Sequence, residues 1–108
     1  MQLTVYIDDI TKTLELPEDI VQEGEDFFLK MDSDMDQGWQ MSRTWVDNPD
    51  SDERCQIAAN KILDAIIAEN QTLLMLMACY IKSRRPDIVG ERIDNAGDMT
   101  ETELLTQL

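Results

Sequence analysis

The chain has 108 residues, 43% of them apolar and 30% charged, which is enough for one modest core, and it reads as a single domain over 1–108. A formal charge of −14 argues against direct binding of nucleic acid or of an anionic membrane surface, since both are themselves negative. The absence of histidine removes the commonest general base and metal ligand.

Residues 2–8 alternate, with Leu3, Val5 and Ile7 on one face and Gln2, Thr4, Tyr6 and Asp8 on the other. After a polar turn, Leu14 and Leu16 alternate with Thr13 and Glu15, which predicts an N-terminal β-hairpin. A hairpin alone is marginal, so another element must cover those five apolar side chains.

Pro17, Glu18 and Asp19 suit a helix start. On a helical wheel Ile20, Val21, Phe27, Phe28, Met31, Met35, Trp39, Trp45 and Val46 fall within an arc of about 120°, which predicts one long helix over 18–46. Gly24, Gly38 and Ser42 lie in the same arc, and each glycine calls for a packing reason or a local kink. Pro49 marks the end.

A second helix is expected over 51–69, capped by Asp50 or Ser51, with small residues such as Cys55, Ala58, Ala59 and Ala65 on its inner face. A third is expected over 72–85, introduced by Asn70 and closed by Lys82, Arg84, Arg85 and Pro86; its run from Leu73 to Ile81 is apolar all round and belongs at the centre. A short strand through Glu91 to Asp94 can join the hairpin, and 98–108 reads as a flexible tail or frayed helix. The fold class is therefore α+β: a β-hairpin, with a third C-terminal strand, packed on a three-helix core.

Asp32-Ser33-Asp34-Met35-Asp36 has the spacing that opens a calcium-binding loop. Gln37 stands where that loop needs glycine and Arg43 where it needs a bidentate glutamate, so no metal site is assigned. Glu18, Glu25, Asp32 and Asp36 instead share one acidic helix face beside the apolar arc, either solvated or relieved by a basic partner. Cys55 and Cys79, with no CxxC pairing, read as small hydrophobes in a reducing compartment. No basic leader precedes an apolar stretch, and the longest apolar run is too short to span a bilayer, so a cytoplasmic protein is expected.

No phosphate loop, GxSxG or nucleophile beside a base is present, and nothing implies a cofactor. The leading reading is thus a small acidic accessory or adaptor protein, not an enzyme, that acts by protein–protein binding. It extends to a homodimer, because a helix over 18–46 is about 43 Å long and outreaches both later helices. Met35, Trp39, Ser42 and Val46 are the candidate contacts. The alternatives are an acidic mimic of nucleic acid that occupies a basic DNA-binding protein, and a carboxylate-based metal protein built on Asp32, Asp34 and Asp36.

Overall fold

Period-2 alternation in the first sixteen residues produces two paired strands. In the computed structural model, which describes residues 1–107, β1 (Gln2–Ile7) and β2 (Ile10–Glu15) are antiparallel, with Leu3 opposite Leu14 and Ile7 opposite Ile10. Asp8 makes the turn at φ +54, a conformation in which aspartate is among the better tolerated residues. Leu3, Val5, Ile7, Leu14 and Leu16 are all buried, as the alternation predicts.

The C-terminal segment completes this sheet. β5 (Gly90–Arg92) lies parallel to β1, and β6 (Glu103–Leu105) lies antiparallel to β5, giving the order β2-β1-β5-β6. The third strand expected over Glu91 to Asp94 is present over Gly90–Arg92, beginning one residue earlier and ending two residues earlier. The segment read as a tail or frayed helix carries a 3-10 turn at Met99–Glu101 and a fourth strand. Asp98 organises it, because its carboxylate accepts from the Thr100 backbone N–H and hydroxyl, at 3.0 and 2.6 Å.

The helix expected over 18–46 is not one helix. α1 (Glu18–Glu23) stops at Gly24, α2 (Glu25–Asp36) stops at Gln37, and residues 39–46 form a hairpin, β3 (Trp39–Met41) and β4 (Thr44–Val46). Gly24 is a close approach: a Cβ there would stand 2.8 Å from the Phe28 ring and 2.9 Å from the Ile20 carbonyl. Gly38 takes φ +104 and reverses the chain, so that Trp39 pairs with Val46 and Met41 with Thr44 across the hairpin.

α3 (Ser51–Ile67) and α4 (Gln71–Arg84) match their expected positions within two residues. Asp50 caps α3 in a capping box, its carboxylate accepting from the Glu53 N–H while Glu53 accepts from the Asp50 N–H, at 2.8 and 2.9 Å. Asn70 caps α4. The small side chains Cys55, Ala58, Ala59 and Ala65 are buried, as are Leu74, Met77, Ala78, Cys79, Tyr80 and Ile81 of α4, so the apolar helix does stand in the core. No helix among the described residues is long and apolar enough to cross a membrane.

Candidate functional site

With twelve residues and a length of about 18 Å, α2 divides its surface three ways. Phe28, Met31 and Met35 enter the core. Glu25, Asp32 and Asp36 turn toward α3 and α4, whereas Phe27, Lys30 and Asp34 face outward beside the β3–β4 hairpin.

The acidic face meets its cations inside the molecule. Arg84 binds Glu25 with two N–H groups, at 2.9 and 3.0 Å, and donates from Nε to Asp32 at 2.9 Å. Arg54 donates to Asp36 at 2.6 Å and to the Pro49 carbonyl at 2.7 Å. The buried Tyr80 hydroxyl donates to Asp32 at 2.6 Å. Burial first, and then this bond, push the Tyr80 phenol up from its ordinary value. The bonds to Glu25 are the foremost cause that holds Arg84 above its ordinary value, against the opposing effect of burial. The cleft of about 320 Å³ among Asp32, Ser51, Arg54, Tyr80 and Arg84 is therefore a set of paired charges that ties α2 to α3 and α4. Glu18, on α1, lies outside this network.

The calcium-like segment forms the end of α2, where successive alternate residues point to different sides. Asp32 and Asp36 are taken by arginines, and Asp34 pairs with Lys30 at 3.6 Å. Among the described residues no group of three or more cysteines, aspartates or glutamates is arranged to hold a metal ion.

The four candidate contacts do not form a stripe. Met35 is fully buried and belongs to the core. Ser42 sits in the β3–β4 turn at φ +56 and donates to Asp98 at 2.7 Å. Trp39 and Val46 are cross-strand partners packed against the core. The surplus helix that called for a second copy of the chain is absent.

Trp39 does line a groove. Met31, Leu73 and Met77 form its floor, Phe27 and Trp39 its walls, and Lys30, Asp34 and Lys61 its rim, around a cavity of about 240 Å³. The Lys61 ammonium stands 5.1 Å from the centre of the Trp39 ring, a cation–π distance. Phe27 is 43% exposed although it follows the apolar period of the helix. The signal for this groove was the i, i+3, i+7 spacing of Phe27, Lys30 and Asp34; the wheel placed Phe27 with the core.

No protein-family model, no curated protein and no solved structure matches the chain.

Proposed function

We propose that the protein is an accessory protein that binds another protein, and that the partner seats one large apolar side chain in the groove between α2, α3, α4 and β3. The groove carries this reading: two partly exposed aromatic walls stand over an apolar floor. Its volume of about 240 Å³ falls below the 300–1,000 Å³ usual for small-molecule pockets and suits a single anchoring side chain. Met31 and Met77 let the floor adapt, and the charged rim supplies the polar ring that shields such an anchor from water. Mimicry of nucleic acid is less favoured, because Glu25, Asp32 and Asp36 are already neutralised by Arg54 and Arg84. A reducing, cytoplasmic setting belongs to the proposal, supported by the free and buried thiols of Cys55 and Cys79.

The test uses the purified chain as bait in lysate of its native cell. A protein retained by the wild type should be lost with Phe27→Ser and with Leu73→Glu and kept with Ile67→Ser, whose side chain is 72% exposed outside the groove. Retention unchanged by both groove variants sinks the proposal. Sedimentation equilibrium of the bait alone distinguishes a different protein from a second copy.

A further inference from the structure

We propose that Glu91 is a proton-operated latch: neutral, it lets α3 close over β5 and β6, and ionised, it opens that layer. Glu91 has no exposed surface, and neither carboxyl oxygen has a hydrogen-bond partner. It lies on β5 opposite Val5 and Leu104, so it shares the core face of the sheet with Val5. Thr102, which closes the 3-10 turn just before β6, is also buried, and its hydroxyl is the remaining unpartnered buried side-chain atom among the described residues. The three unpartnered atoms thus belong to β5 and to the residue just before β6, and α3 meets these two segments through Cys55, on which Glu91 acts, and through Gln56, which donates to the Thr102 carbonyl at 3.1 Å.

The groups around Glu91 offer no compensation. β1 and β6 set the apolar Val5 and Leu104 beside it. α3 brings the Cys55 thiol, which burial and then Glu91 push up to about 12, so it stays neutral. Asp52 and Asp87, which also act on Cys55, are both paired with Arg85. Lys82, the buried cation of α4, donates to the Ile88 carbonyl at 2.6 Å. Burial alone raises the Glu91 carboxyl well above its ordinary range.

The sign follows from linkage. A carboxyl raised in the closed state and ordinary in the open state favours closure fully below its ordinary value of 4.5, and that contribution disappears as pH rises toward the raised value. In that window each pH unit shifts the balance up to about tenfold toward the open form. β6 is an edge strand of three residues that pairs with β5 and accepts from the Val89 N–H at its Leu105 carbonyl, at 2.8 Å; Gln56 holds the neighbouring Thr102 carbonyl at 3.1 Å, and Ser42 holds Asp98 at the start of the 3-10 turn at 2.7 Å. Lifting β6 from α3, with the Gln56 bond to Thr102 released, is the opening that wets the carboxyl.

Amide hydrogen exchange at residues 103–105, corrected for intrinsic rates and followed from pH 5 to 8, reads the opening directly. Wild-type protection should fall by up to about tenfold per pH unit within the window, while Glu91→Leu and Glu91→Gln should both be flat. Should either variant fail to fold, the carboxyl carbon of Glu91 in the wild type gives a second readout by NMR titration. Equal slopes in wild type and variants, or a Glu91 that titrates in the ordinary glutamate range, would overturn the proposal.

Discussion

Gly38 and Trp45 decide where α2 ends. At φ +104 a side chain is strained, and a Cβ at this position would run into the Trp45 ring, whose Nε1 donates to Asp47 at 2.7 Å. Gly38→Ala should therefore lower unfolding free energy by about 2 kcal/mol or more in denaturant titration, the sum of backbone strain and steric conflict. In a Trp45→Ala background the steric part is relieved and the backbone part remains, so the penalty should shrink without vanishing. An equal penalty in both backgrounds would place the whole cost in the backbone. The need for a reason at Gly38 was legible in the sequence, but the ring that supplies it was not. Glu91 was less legible still: between Gly90 and Arg92 it reads as an ordinary polar residue, and only the pairing of β5 with β1 and β6 turns it inward.

At the level of elements, local signals held wherever a cap fixed a boundary. Asp50 and Glu53 bracket the start of α3, and Asp50→Ala should cost about 1 kcal/mol, seen as a lower denaturation midpoint with an unchanged slope. A loss under about 0.3 kcal/mol would mean that water replaces the cap. The expected helix over 18–46 failed for a different reason. Trp39, Trp45 and Val46 fit a wide arc of the wheel, while strands of three residues are too short to show a period of two. Ser42 at φ +56 allows the tight turn between them. The acidic face was legible because Glu25, Asp32 and Asp36 recur at helical spacing, but the cations that meet it are Arg54 and Arg84 of the same chain. Those contacts join residues far apart in sequence, so no local pattern announces them.

Across the whole molecule, the −14 charge is unevenly carried. Fifteen of the 23 acids but four of the nine bases lie in residues 1–54, which gives that half −11. Internal pairing does not remove the excess: Glu18, Asp19, Glu23 and Asp26, along α1 and the first turn of α2, have no ion-pair partner among the described residues. Salt acts on both sides, weakening the attractive pairs and the repulsion alike. The pairs on Arg54 and Arg84 are partly shielded by burial, whereas the exposed acids face water, so screening relieves more repulsion than attraction. The thermal midpoint should therefore rise as sodium chloride goes from 0.05 to 0.5 M, concentrations that shorten the Debye length from above about 10 Å toward a few ångströms. Glu23→Lys, at the negative end of α1, should stabilise by about 0.5 kcal/mol and flatten that rise. Glu25→Lys should destabilise instead, because it sets a cation against Arg84. A midpoint that falls with salt would show that the arginine network, and not the surplus of acids, dominates the electrostatic free energy of this fold.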